Sequence, residues 1–119
     1  MDLTDEQIKK LLRGCRRNKR EAQKELYRNY FDYAMAVAFR YSSDYDMAVE
    51  ITNDAFLKIY GDLRNGVPRI DNTVNSFKAW LRNTVFDTCM DHRNKSNANE
   101  ITVSAGTGQV LPSYKYKTA

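Results

Sequence analysis

The chain has little that punctuates or cross-links it. Its 119 residues include five glycines, two prolines, two cysteines, one histidine and one tryptophan. The Gly and Pro residues fall mostly in residues 61–68 and after residue 104. That leaves long uninterrupted stretches for helices, one interior loop and a loose end. Two cysteines, Cys15 and Cys89, cannot build the disulfide framework of a small secreted domain. No apolar run is long enough to span a bilayer and no leader pattern opens the chain, so membrane spanning and export are set aside. The expected address is the reducing cytoplasm. His92 stands alone, and a lone histidine is usually a surface or capping residue. No cluster of acid, base, nucleophile or metal ligands can be assembled by spacing, so neither an enzyme nor a bound metal or cofactor is expected.

What is present is enough for one domain. Hydrophobic residues make up 42% of the chain and charged residues 29%, so a packed core inside a well-solvated surface is attainable. The net charge is +4, a mild excess compatible with polyanions. Residues 13–20 hold Arg13, Arg16, Arg17, Lys19 and Arg20 with no acid. Residues 64–95 carry six basic side chains against Asp71, Asp87 and Asp91.

Caps and periodicity predict an all-α chain, a compact bundle of three to four helices with a long central helix and a flexible C-terminal tail. The first helix runs from Thr4 to about Arg13, with Thr4 and Gln7 as a capping box and Gly14 as its terminator. The second runs from Asn18, its expected cap, to Tyr41. Ala22, Leu26, Tyr30, Tyr33, Val37 and Tyr41 form one stripe, and Phe31, Met35, Ala38 and Phe39 lie on other sides. A surface apolar nearly all round predicts a central position. The third helix, capped by Ser43 and Asp46, runs to about Leu63. Ala48, Thr52, Ala55, Phe56, Ile59 and Leu63 share its inner face, and Glu50, Asn53, Asp54 and Leu57 share the outer one. Residues 61–75 form a loop with Asn65, Gly66, Pro68 and Asn72 as turn residues. The fourth helix starts at Asn75 or Ser76 and runs to about Asn94. Phe77, Leu81, Thr84, Val85 and Thr88 face inward beside Trp80, which is assigned to the core. Residues 98–119, including Ile101 and Val103, are expected to form a linker or disordered tail.

The order of these features along the chain resembles region two of the extracytoplasmic-function sigma factors, over roughly residues 5–95. The run from Lys24 to Leu63 opens with a Leu-Tyr…Tyr helix. An acidic-amide-acidic helix ending in Phe follows, matched by Glu50, Asn53, Asp54 and Phe56. A Phe-x-x-Trp-Leu start closes the unit, matched by Phe77, Trp80 and Leu81. The chain differs from the family pattern at Asn53, usually Gln, and at Asp87, often Asn, where a carboxylate is expected to oppose phosphate. It also has fewer arginines after Asp91 and a longer loop between Leu63 and Phe77.

The resemblance implies a domain over residues 1–97 that takes part in transcription initiation. Its third helix would bind the clamp helices of the RNA polymerase β′ subunit through Glu50, Asn53, Asp54 and Leu57. The loop and fourth helix would recognise and melt the minus-ten element, holding the non-template strand through Arg64, Arg69, Asn75, Lys78, Arg82, Asn83, Phe86 and Arg93. An anti-sigma factor is a further partner that the resemblance allows. The family's C-terminal helix-turn-helix region is not recognisable after residue 95, so the expectation is either a piece of a longer factor or a stand-alone module. The alternative is a protein-interaction module that binds polymerase or an anti-sigma factor without opening DNA. A helix-turn-helix repressor fits poorly, because that motif needs a shorter turn than residues 61–75.

Overall fold

The computed structural model describes residues 3–42, 44–67 and 70–105, with side chains through Lys95. It has four helices: α1 (Asp5–Arg16), α2 (Arg20–Phe39), α3 (Tyr45–Arg64) and α4 (Val74–Ala105). No strand occurs among the described residues, and the all-α architecture is the one the periodicity predicts.

Each helix start has a local cause. At α1 the Thr4 hydroxyl accepts the Gln7 amide N–H at 3.1 Å, and the Gln7 side-chain oxygen accepts the Thr4 N–H at 2.8 Å. This is the expected capping box, a device worth roughly 1 kcal/mol. At α3 the cap is Asp44, whose carboxylate accepts the Asp46 N–H at 3.1 Å. Asp46 is therefore a first-turn acid, and Ser43 lies outside the described residues. At α4 the Thr73 hydroxyl accepts the Ser76 N–H at 3.1 Å, so the helix begins at Val74, ahead of the expected start. The Val74 N–H is taken by the Asp5 carboxylate at 2.9 Å, which ties the start of α1 to the start of α4.

Two expectations around residues 14–18 are overturned. Gly14 does not end α1, which continues to Arg16. A Cβ at Gly14 would lie 2.6 Å from the Ala22 Cβ, so the glycine lets α1 and α2 approach closely. Nor does Asn18 cap α2; that position belongs to Lys19, which makes no side-chain cap. Asn18 sits in the left-handed region at φ 58°, where asparagine is the usual substitute for glycine. The Asn18 N–H reaches the Cys15 carbonyl and the Lys19 N–H the Gly14 carbonyl, each at 2.9 Å. These bonds close α1 with a Schellman turn. Gly66, at φ 78°, closes α3 the same way. Because α3 runs through Gly61 to Arg64, the interior loop is shorter than the expected 61–75.

The helices pack around α2 and α3, each of which touches the other three. All six residues expected on the inner face of α3 are buried: Ala48, Thr52, Ala55, Phe56, Ile59 and Leu63. They meet Leu26, Tyr30, Ala34, Met35, Val37 and Ala38 of α2 in one core with Phe77, Leu81 and Val85 of α4 and Ile8 and Leu12 of α1. Burying a side chain of the size of Leu or Phe contributes about 1.5–3 kcal/mol. Two hydroxyls in this region have partners. The Thr52 hydroxyl meets the Met35 sulfur at 3.4 Å, and the Tyr60 hydroxyl donates to the Gln23 carbonyl at 2.8 Å. Trp80 is partly buried and stands edge-on to Phe77 at 6.0 Å between ring centroids, in the core role assigned to it.

At its far end α4 departs from expectation. Its backbone stays helical past Asn94, the expected end of the fourth helix, and through Ile101 and Val103 to Ala105. The rest of the expected tail, 106–119, lies outside the described residues. No described helix is long and apolar enough to cross a membrane.

Candidate polymerase- and nucleic-acid-binding surfaces

Two neighbouring surfaces gather most of the residues singled out in the sequence. The first is the outer side of α3. Glu50, Asn53 and Leu57 are exposed there and Asp54 is half-buried. Leu57 is 66% exposed, a large apolar side chain presented to solvent among acids and an amide. The Asn53 oxygen accepts a hydrogen bond from the Tyr27 hydroxyl of α2 at 2.7 Å. Burial, with a smaller contribution from the neighbouring Tyr45 phenol, pushes the Tyr27 phenol up, so it remains a neutral donor. Asp54 pairs with His92 of α4 at 2.8 Å between carboxylate oxygen and Nε2. Glu50, Asp54 and His92 each place a ligand-type atom within 4.8 Å of the others. A second link between the helices lies beside it. The Lys58 ammonium donates to Thr88 and Asp91, each at 2.9 Å.

The second surface is the outer side of α4. At about 100° per residue Asn75, Arg82, Phe86 and Arg93 fall within one narrow stripe, and all four are exposed. Phe86 stands edge-on to Tyr41, just past the end of α2, with centroids 5.1 Å apart. Lys78 borders the stripe, its ammonium 4.9 Å from the Tyr33 ring centre. A cation over an aromatic face is stabilised by the ring quadrupole.

The structure separates other residues that the resemblance groups with this stripe. Asn83 turns to the opposite flank, where it lines a recess with Trp80, Asp87 and Asp91 of α4 and Lys58 and Asp62 of α3. Asp87 therefore lies on a different flank of α4 from the arginines. Partial burial pushes the Asp62 carboxyl up, against a smaller lowering by Lys58. Arg64 is exposed at the end of α3, two heptads from Glu50 and one from Leu57. That spacing puts it on the same side of α3 as Glu50 and Leu57. Arg69 lies outside the described residues.

Sequence reasoning did not find Tyr27, Tyr41 or His92 as members of these surfaces. The i, i+4 spacing of Glu50 and Asp54 shows that they share a face, but nothing local reveals which residue of α4 comes opposite. His92 and Arg93 also mark where the two surfaces meet. Both line a small recess with Tyr41, Met47, Ile51 and Cys89, yet His92 turns to the acids of α3 and Arg93 to the basic stripe.

Comparison of the chain with protein-family models, with curated proteins and with solved structures gives no match.

Proposed function

We propose that the chain is a transcription-initiation module of the sigma region-two type. In this reading the outer side of α3 docks on the clamp helices of the RNA polymerase β′ subunit in the cytoplasm. The Arg82–Phe86–Arg93 side of α4 holds the non-template strand of the minus-ten element. The observation that carries the reading is the exposed Glu50–Asn53–Asp54–Leu57 patch lying next to a basic, aromatic stripe on the adjacent helix. An apolar centre ringed by charges suits a protein partner. Arginines flanking an exposed ring suit a single strand, where phosphate contacts release counterions and a base stacks on the aromatic.

The chemistry is strand separation, with no covalent step. Taking a base out of the duplex stack costs a few kcal/mol. Stacking on an aromatic returns about 1–3 kcal/mol per base. Phe86 and Tyr41 supply the aromatic surface, and Arg82 and Arg93 the phosphate contacts. The balance is close enough that the polymerase must contribute, so the assay contains polymerase core and a pre-melted minus-ten template. Arg82→Ala and Phe86→Ala are expected to weaken DNA binding there, with a shallower salt dependence for the arginine variant. Asp87→Asn, on the other flank, is expected to change it little. Reversal of Glu50 and Asp54 to Lys is expected to weaken capture of a clamp-helix fragment while the circular dichroism spectrum is retained. If that capture survives the reversal, the α3 face is ordinary solvated surface.

A second reading is favoured by the recess that Asp62, Asp87 and Asp91 line with Lys58 on the other flank of α4 from the stripe. In it the module binds polymerase or an anti-sigma factor without opening DNA. It replaces the first if polymerase docking persists and neither Arg82→Ala nor Phe86→Ala changes DNA binding.

A further inference from the structure

We propose that Glu50, Asp54 and His92 form a binding site for a divalent transition-metal ion of the zinc type, spanning α3 and α4. Glu50 and Asp54 are one helical turn apart on α3, so their carboxylates leave the same side of the helix. Two such carboxylates alone repel each other and are commonplace on helices. The third member changes the chemistry. His92 comes from a different helix and delivers an imidazole nitrogen to 2.8 Å from the Asp54 oxygen. Its side chain is only 17% exposed, so packing holds the ring in place.

The geometry is close to that of a coordination shell. The three ligand atoms lie within 4.8 Å of one another. In a tetrahedral site with bonds of about 2.0–2.2 Å, ligand atoms stand about 3.4 Å apart. The 2.8 Å Asp54–His92 contact would open to that spacing as the ion replaces the hydrogen bond, and Glu50, exposed and able to turn about several side-chain bonds, would close in. Two carboxylates with a neutral imidazole balance the charge of a divalent ion. The nitrogen donor selects zinc, cobalt or nickel over magnesium and calcium, which favour oxygen-only shells. Three protein ligands leave a position for water, giving an open site of moderate affinity. Cys89, one turn before His92, is buried in the core and is outside the set.

Bound there, the ion would staple α3 to α4 close to the Lys58–Asp91 link. It would also neutralise two of the acids assigned to docking. That consequence rests on the proposed function, whereas the binding itself does not.

The test uses the full chain without polymerase, so its outcome is independent of the docking proposal. Zinc chloride is titrated calorimetrically, and thermal unfolding is followed with zinc and with a chelator. The expected result is a single zinc per chain and a rise in Tm of roughly 10 °C at free zinc about a hundredfold above Kd. Magnesium at the same concentration should give no shift. Glu50→Gln and His92→Gln should each weaken zinc binding more than tenfold, and Cys89→Ser should leave it unchanged. Glu50 is exposed, so its variant reports on the site even if replacing His92 disturbs packing. Absence of saturable zinc binding overturns the proposal. So does zinc binding that survives Glu50→Gln at full strength, or that is lost in Cys89→Ser.

Discussion

The same substitution, glycine to alanine, should have opposite effects in α1 and α3. In an exposed helix interior it stabilises by roughly 0.5–1 kcal/mol, through better helix propensity and a less flexible unfolded chain. At Gly61 the new methyl would meet only the Arg64 guanidinium, 3.9 Å away, so that gain should be realised. At Gly14 the new carbon would sit 2.6 Å from the Ala22 Cβ. Carbon atoms are comfortable at about 3.5–4.0 Å, so α1 and α2 would have to part by about 1 Å locally. Neither atom can rotate away, because each Cβ is fixed to its backbone. The cost should therefore reach the upper part of the roughly 1–3 kcal/mol range for overpacking. Net of the propensity gain, Gly14→Ala should destabilise by about 2 kcal/mol, lowering Tm by roughly 10 °C for a domain of this size. Gly61→Ala should raise Tm by a few degrees. Thermal melts at 222 nm, with urea titrations to check that the m-value is unchanged, measure both. A rise in Tm for Gly14→Ala would refute the close-approach argument. So would a fall that Ala22→Gly in the same chain does not partly reverse.

Three further outcomes follow from individual contacts. Asp5→Ala should cost about 1 kcal/mol in the urea midpoint, because it removes the acceptor of the Val74 N–H at the start of α4; no change would mean that solvent replaces that bond without loss. Lys58→Met should cost no more than about 1 kcal/mol, and less in high salt, since both partners of its ion pair are more than a third exposed. A loss several times larger would place the link in drier surroundings than its exposure implies. Burial holds the Cys15 thiol neutral, pushing its pKa from 9.0 to about 11 against a smaller lowering by Arg16, and burial pushes Cys89 and Tyr60 up too. A raised folded pKa for an acid means that stability is intact below the unfolded value and declines as pH rises through it. The urea midpoint should hold to about pH 9 and then fall towards pH 11, with Cys15 contributing about 2–3 kcal/mol; a flat profile across that interval would contradict the burial argument.

Local chemistry explains how much of this architecture could be read in advance. The inner face of α3 was legible residue by residue, because 3.6-residue periodicity is a property of a single helix and Ala48 through Leu63 never break it. The Thr4–Gln7 box was legible for the same reason: donor and acceptor lie three residues apart. The misreadings at Gly14 and Asn18 come from residues with two physical uses. Glycine ends helices and also permits close approach, and only the position of Ala22 decides between them. Asparagine caps a following helix or adopts positive φ after a preceding one, and the Schellman bonds to Gly14 and Cys15 decide that. Low apolar content hid the extension of α4 to Ala105. The pairing of His92 with Asp54 depends on how α4 is rotated against α3, which no local pattern encodes. The step of about 100° between neighbours is local, and it puts Asn83 and Asp87 off the arginine stripe although they adjoin Arg82 and Phe86 in the chain.

That spacing also gives α4 a transverse electrical polarity, distinct from the dipole along its axis. Arg82 and Arg93 lie on one flank, and Asp87 and Asp91 on the other, a helix diameter away. In a uniform field these four charges together feel a torque and no net force. A polyanion approaching within a Debye length, about 8–10 Å at ordinary ionic strength, would turn the molecule so that the arginine flank leads. Orientation during approach shortens the search for a productive encounter and appears in the association rate more than in the lifetime of a complex. Moving a charge across the helix, with the total kept constant, would alter how often collisions succeed while leaving the net charge of the chain untouched.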